Sequence, residues 1–338
     1  MASSSKPKAL LLGTIDHEPA RRDWESLSSI AELIKPKATN REEFIKECKS
    51  GALDGVVAAY KTFESKNITG RFDPELVECL PESWKFISNN GAGYDQIDIA
   101  ACNARSIRIS NVPTAVDAAT ADTALFLLLG ALRNFPPPLL TLRQKTWRGA
   151  PPAALGHDPQ GKLLGILGMG GIGRELKKRA AALGMRVQYH NRRALSAELA
   201  GGAQYVGFEE LLRTSDVLHL SLPLNKQTHH LISSPQFALM KPSTVIINTA
   251  RGAIMDEAAL VDALAAGTVA SVGLDVFEHE PEVHPGLLAN PNVLLLPHMG
   301  TWTVETQTAM EHWNIANVRA AIEEGKLKSP VPEQAGMQ

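Results

Sequence analysis

The segment Gly168-Met169-Gly170-Gly171-Ile172-Gly173 constrains the fold of this chain more than any other feature. It fits the pattern G-x-G-x-x-G, and its surroundings make the match specific. The apolar run Leu163 to Leu167 precedes it as a strand, Gly171 to Leu183 continues it as a helix, and a second β-rich run begins at Arg186. In such a βαβ unit the glycines permit a tight turn, let the backbone approach a pyrophosphate and bring the helix close to the sheet. The helix N-terminus then faces the phosphates. A glycine-rich turn without a ligand is the bland alternative. A second phosphate-loop pattern, Gly156 to Leu163, fails twice: Leu163 lacks the hydroxyl that holds magnesium, and the segment precedes a strand instead of following one.

Short β-rich runs alternate with helical patterns along the chain, which implies an α/β class with parallel sheets. The 338 residues divide into two such sets. Strands of the first are expected at Lys8 to Gly13, Val56 to Ala59, Lys85 to Asn89 and Ile107 to Val112, with a helix at Asp73 to Leu80. Strands of the second are expected at Leu163 to Leu167, Arg186 to His190, Val217 to Leu222, Val245 to Asn248, Ser271 to Val276 and Val293 to Leu296, which suits a doubly wound nucleotide-binding sheet. Between the sets, Asp117 to Leu132 is apolar on nearly every side and reads as a buried crossing helix. Pro136-Pro137-Pro138 should stop it, and Pro151 to Gly161 reads as loop. The last helical stretch, Val304 to Glu324, is expected to return to the first set. The expectation is two Rossmann-like domains: a discontinuous substrate domain of residues 1–115 and 305–338, and a dinucleotide-binding domain of residues 116–304.

Charge and composition narrow the partners. The 34 basic and 36 acidic residues leave a net charge of −2, which gives no bulk attraction to nucleic acid or to an anionic membrane. No apolar run approaches the roughly 18 residues that span a bilayer. Near the N-terminus only Ala9 to Leu12 is apolar, and it reads as a strand, not a leader. Cys48, Cys79 and Cys102 have no C-x-x-C spacing, which fits reduced thiols in a cytoplasmic protein. Asn67-Ile68-Thr69 matches a glycosylation acceptor but carries no weight without a secretory signal.

Several polar residues stand where α/β sheets place ligands, just beyond the carboxyl ends of strands. After Arg186 to His190 comes Asn191-Arg192-Arg193, where an NAD site usually has an acidic residue. A carboxylate there would repel a 2′-phosphate, whereas two guanidiniums would bind it, so NADP(H) is the expected cofactor; solvated loop charges are the alternative. Arg251, Glu280 and His298 each follow a strand of the second set, and together they suit a nicotinamide site, although singly each has a dull reading. Tyr60, Phe63 and Trp302 are candidate walls of a substrate pocket. No metal site is expected: His229 and His230 are adjacent and could not both face one ion from a regular strand or helix, and no H-E-x-x-H occurs.

With these motifs in place, the chain resembles the D-2-hydroxyacid dehydrogenases, and is especially similar to glyoxylate/hydroxypyruvate reductases and fungal 2-oxoacid reductases. The resemblance covers nearly the whole chain. It rests on Asn90-Gly91-Ala92-Gly93-Tyr94-Asp95, Ala121-Asp122, the glycine loop, Asn248 to Gly252, Gly273 to Pro281, and Pro297-His298-Met299-Gly300. It implies that Arg251 anchors the substrate, His298 is the acid/base and Glu280 orients His298. It further implies that the amides of Ala92 and Gly93 hold the substrate carboxylate. Met169 to Ile172 would contact pyrophosphate, Leu222 and Pro223 the adenosine side, and Thr249, Ala250, Asp275, His298 and Gly300 the nicotinamide side. Trp147 lies in a segment that reaches the other subunit of a homodimer in similar enzymes. Trp302 departs from the small residues common at its position. The resemblance thus implies an NADPH-dependent reductase of a small 2-oxo acid; a corepressor-like binding module or a reductase of bulkier oxo acids remain alternatives.

Overall fold

The computed structural model describes residues 6–337. The chain folds into two compact units, Met1–Val116 with Thr303–Gln338, and Asp117–Trp302. Each is an α/β structure on a parallel sheet.

The sheet of the first unit contains β1 (Lys8–Leu12), β2 (Glu32–Ile34), β3 (Val56–Lys61), β4 (Phe86–Asn89) and β5 (Arg108–Ser110), in the order β2-β1-β3-β4-β5. All its pairings are parallel. A register shift against β1 follows Val56, and from Ala58 on successive β3 side chains alternate between the faces. Val56 and Ala59 join one core with Leu10, Leu12, Phe44, Trp84 and Ile87. Ala58 and Tyr60 join the other, against Leu11, Phe86 and the helix Val304–Glu324. That helix starts at Thr303, whose Oγ1 accepts the Thr306 amide, and ends at Gly325 in the left-handed region (φ 65°). Its buried face is partly polar. Glu311 accepts the amides of Asp16 and His17, and Asn314 accepts the Ser88 hydroxyl and donates to Asn90 Oδ1. These bonds fix where the chain leaves β4, which is where Ala92 and Gly93 follow.

The second unit has seven strands: β6 (Leu163–Leu167), β7 (Arg186–His190), β8 (Gln204–Tyr205), β9 (Val217–Leu220), β10 (Val245–Asn248), β11 (Ser271–Leu274) and β12 (Leu294–Leu295). Their order is β12-β11-β10-β9-β6-β7-β8, so the sheet reverses direction between β6 and β9, as in Rossmann sheets. The apolar helix Asp117–Leu132 packs Ala121, Ala124, Leu127 and Leu128 onto Leu164, Ile166 and Ile247. Among the described residues no single helix is long and apolar enough to cross a membrane.

Three expectations need revision. The short edge strands β2 and β8 carry exposed and half-buried residues, so no apolar run announces them. Several expected strand ends, such as Val276 and Leu222, lie one or two residues past the last ladder bond. Pro136-Pro137-Pro138 ends nothing by itself: it opens a second helix, Pro136–Arg143. Prolines are tolerated in a first turn, where their missing N–H groups would have no intrahelical acceptor.

Candidate active site

The glycine loop joins β6 to the helix Gly171–Ala182. Gly168 has φ 93°, and a Cβ there would meet the Ser221 carbonyl oxygen at 2.6 Å and the Leu222 side chain at 2.8 Å. Only glycine permits that turn. Gly170 is different, since a Cβ added to it would point into open space at the helix N-terminus. The Met169 amide donates to Asn191 Oδ1 (2.7 Å) and the Gly170 amide to the Gly168 carbonyl (2.8 Å). Met169 also buries its side chain. Among the described residues, the amides of Gly171, Ile172 and Gly173 have no acceptor, as expected of a helix N-terminus. They are unpaired donors at a helix N-terminus whose first glycine, Gly170, borders open space, and the loop therefore fits a pyrophosphate. Asn191 acts here as a brace: its side chain holds the loop, and its carbonyl accepts the Tyr205 hydroxyl (3.2 Å). Arg192 and Arg193 beside it are exposed and have no acidic partner among the described residues. Leu222 borders the loop, and Pro223 lies next to it.

Arg251, Glu280 and His298 come from the loops after β10, β11 and β12. His298 Nδ1 and Glu280 Oε2 are 2.9 Å apart. Burial pushes the Glu280 carboxyl up, but the His298 hydrogen bond and charge, the Phe277 amide and the Arg251 guanidinium outweigh it and hold the group below the ordinary carboxylate range. Glu280 therefore stays ionised opposite the imidazole. Arg251 donates to the Ala250 carbonyl (2.7 Å). Its backbone is set by buried Asn248, which accepts the Ala250 amide and donates to the Arg251 carbonyl.

His298 itself lies in the left-handed region, with φ 57°. For a non-glycine residue this strain costs on the order of 1–3 kcal/mol. Asp275 offsets it: its carbonyl accepts the His298 amide (2.8 Å), and its carboxylate accepts those of Met299 (2.6 Å) and Gly300 (2.8 Å). Burial pushes the Asp275 carboxyl up despite those amides. Thr249, at the end of β10, bonds the buried ring of His219 through Oγ1 (3.1 Å). Asn248 and His219 escape sequence reasoning because a polar residue inside an apolar strand carries no pattern that separates a brace from a chance substitution.

In the first unit, Ala92 and Gly93 lie in the loop after β4. Their carbonyls are held by Asn111 Nδ2 (2.8 Å) and Asn89 Nδ2 (3.0 Å), whereas their amides have no acceptor among the described residues. Behind them is Lys61, only 3% exposed, whose Nζ donates to Asn89 Oδ1 (3.4 Å). Burial pulls its pKa down to about 8, against a smaller opposing effect of Asp95. A buried cation tied through Asn89 to a loop with two unpaired amides suits an anion.

Two expectations fail. Tyr60 cannot line a pocket, because it is fully buried and packs against Trp24 with ring centroids 6.2 Å apart. Phe63 and Trp302 are exposed, at 51% and 70%. The other concerns His229 and His230, whose backbone is not the regular strand or helix that the expectation assumed. His230 sits in the left-handed region (φ 50°), not in a strand or helix, and the two rings stack on the same side with centroids 4.1 Å apart.

Comparison with known proteins bears on this geometry. Residues 125–300 match the family described as "D-isomer specific 2-hydroxyacid dehydrogenase, NAD binding domain". The chain is 54% identical to 4-methyl-2-oxopentanoate reductase A of Aspergillus oryzae over 97% of its own length and 98% of that protein's. The crystal structure of a glyoxylate reductase from Paecilomyes thermophila superposes with a TM-score of 0.95 at 53% identity, covering 97% of this chain and 99% of that one. An NADPH-dependent glyoxylate/hydroxypyruvate reductase from Sinorhizobium meliloti, crystallised with NADP and malonate, gives 0.84 at 31% identity, with 97% and 98% covered.

Proposed function

The chain belongs to the D-isomer-specific 2-hydroxyacid dehydrogenase family, and from that premise we propose that it catalyses NADPH-dependent reduction of a small 2-oxo acid to the D-2-hydroxy acid. The observation that carries this reading is the His298–Glu280 pair at 2.9 Å, beside Arg251. The planar fork of Arg251 suits the carboxylate and polarised ketone of a 2-oxo acid. Protonated His298 donates to the developing alkoxide, and ionised Glu280 favours that imidazolium and fixes its orientation. When bound, the reduced nicotinamide supplies the hydride to the ketone carbon. In the first unit, taken by itself, the Ala92 and Gly93 amides, with Lys61 linked to their loop through Asn89, suit a carboxylate. Asp275 acts through the backbone, keeping His298 in its strained conformation.

The free amides of Gly171 to Gly173 support a dinucleotide, and the unpaired Arg192 and Arg193 support a 2′-phosphate. The Sinorhizobium relative crystallised with NADP agrees with that choice. Glyoxylate and hydroxypyruvate are the proposed substrates; the Aspergillus relative is named for a branched oxo acid and makes bulkier substrates the competing reading. A homodimer is also proposed. Phe126, Phe135, Leu139, Leu142 and Trp147 are exposed along two consecutive helices and the turn after them, a run of apolar surface unusual for a monomer.

Purified protein should oxidise NADPH on addition of glyoxylate or hydroxypyruvate. A panel extending to 4-methyl-2-oxopentanoate and phenyl-bearing 2-oxo acids ranks the pocket by kcat/KM, and absence of turnover across the panel would overturn the reading. His298→Ala should lower kcat by about 10²-fold to 10⁴-fold, the usual value of a general acid. Near-normal turnover in that folded variant would remove His298 from the role.

A further inference from the structure

The turn after β9 and the loop that carries Glu280 together hold a second group of chemistry-bearing side chains, which the reduction does not use. One ligand atom from each of His229, His230 and Glu278 lies within 4.8 Å of the others. The turn that presents the histidines is well pinned. Thr228 Oγ1 donates to the Pro223 carbonyl (2.6 Å), the His229 amide to the Asn225 carbonyl (2.9 Å) and the His230 amide to the Ala253 carbonyl (2.8 Å). The left-handed backbone of His230 puts the two rings face to face, 25° from parallel. Glu278 Oε1 lies 2.6 Å from His230 Nε2, and the Glu278 amide donates to Glu257 Oε1 (2.6 Å). The adjoining cavity, about 360 Å³, is lined by Asp256, Glu257, Glu282 and His284 as well as His230 and Glu278. Carboxylates and imidazoles, His279 among them, make up most of that lining, and a cavity of this size accommodates water on an ion's open positions.

We propose that His229, His230 and Glu278 form a binding site for a divalent transition-metal ion, of which zinc is the fitting example. Two imidazoles and one carboxylate favour zinc over magnesium or calcium, which prefer all-oxygen shells. Ligands at 2.0–2.2 Å from a tetrahedral zinc stand about 3.4 Å from one another. The 2.6 Å His230–Glu278 contact must open by about 0.8 Å to admit the ion, and rotation of the exposed His229 ring brings in the third ligand atom. The ion takes the place of the proton between His230 Nε2 and Glu278 Oε1; the ring binds as neutral imidazole with one proton on Nδ1, any second proton passes to solvent, and solvent completes the coordination. The bound ion staples the turn after β9 to the loop on which Glu280 stands two residues away.

The test uses the full chain, stripped with a chelator and titrated with Zn²⁺ by equilibrium dialysis, with the melting temperature followed in parallel. The expected result is saturable binding of one Zn²⁺ per chain and a rise in melting temperature through linkage. His229→Ala, a change at an exposed side chain, should weaken binding at least about tenfold and abolish the thermal shift. Glu278→Gln should do the same, whereas His298→Ala and Cys79→Ser should bind like the parent. No saturable binding, equal binding by the parent and His229→Ala, or loss of binding in His298→Ala overturns the proposal. Because the readout is metal bound and not turnover, failure here is separable from failure of the reductase reading.

Discussion

At the residue scale, Lys61 joins stability to the proposed anion-binding role most directly. It is charged at neutral pH yet almost fully buried, and its pKa of about 8 lies below the ordinary 10.5. Between those values the unfolded chain binds the proton and the folded one does not, so stability rises with pH across that window. Below pH 8 the buried charge costs on the order of 3 kcal/mol. Lys61→Met should therefore be more stable than the parent at pH 7 by denaturant midpoint, with the gain shrinking as pH rises from 8 to 10.5. The same variant should raise the KM for the oxo acid about tenfold, equivalent to ~1.4 kcal/mol, with little change in the affinity for NADPH. A variant with higher stability and unchanged KM would show that the cation has no part in holding the anion. His298 presents a similar conflict, because its strained backbone is maintained by a buried carboxylate, Asp275, that accepts the amides of the two residues after it.

At the scale of elements, the end of β7 carries the charges on which the proposed NADPH preference rests. Asn191 is occupied in bracing the glycine loop, which leaves Arg192 and Arg193 as the exposed charges there. Changing both to alanine should raise the Kd for NADPH by one to two orders of magnitude and leave NADH nearly unaffected, since charge-assisted bonds to phosphate are worth roughly 1.5–3 kcal/mol. Equal losses for both dinucleotides would show that neither arginine reads the 2′-phosphate. Elements also explain what is legible in the sequence. β6 and β10 are mostly apolar runs bounded by glycine or polar residues, and the crossing helix is apolar on nearly every side, so each is visible as pattern. The edge strands β2 and β8 bury too little to show. Tyr60 is misleading because aromatic chemistry says nothing about which face of a strand it occupies, whereas the neighbouring strand positions set it toward Trp24. His229 and His230 look unsuited to one ion only under a regular geometry that a left-handed turn does not obey. Arg251, Glu280 and His298 can be placed because parallel sheets gather their ligands at one edge, a rule of topology that the strand pattern carries.

At the scale of the whole molecule, the exposed apolar helices predict association. Trp147, 71% exposed, and Leu142, 55% exposed, should lose the dimer when both are changed to aspartate, with sedimentation falling from twice the mass of one chain to that of a single chain. A parent protein that sediments as a monomer would discard the homodimer. Acid should expose a different property of the molecule. His219 lies in β9 at the centre of the second sheet, fully buried, with Nε2 on the Thr249 hydroxyl and no partner for Nδ1 among the described residues. Burial pulls its pKa down to about 3, from 6.5. The unfolded chain takes up this proton as pH falls through 6.5, while the folded chain refuses it until about 3, so stability is lost throughout that interval. The loss approaches 1.4 kcal/mol per pH unit, or roughly 3 kcal/mol by pH 4.5. His219→Leu keeps the strand apolar and removes the titration. Urea midpoints measured at pH 7 and pH 4.5 should therefore move less in the variant than in the parent. Carboxylates elsewhere titrate in both proteins and cancel in that difference. An equal shift in the two would mean that His219 is hydrated or reorganised in the folded state, and that the acid sensitivity of the sheet has another source.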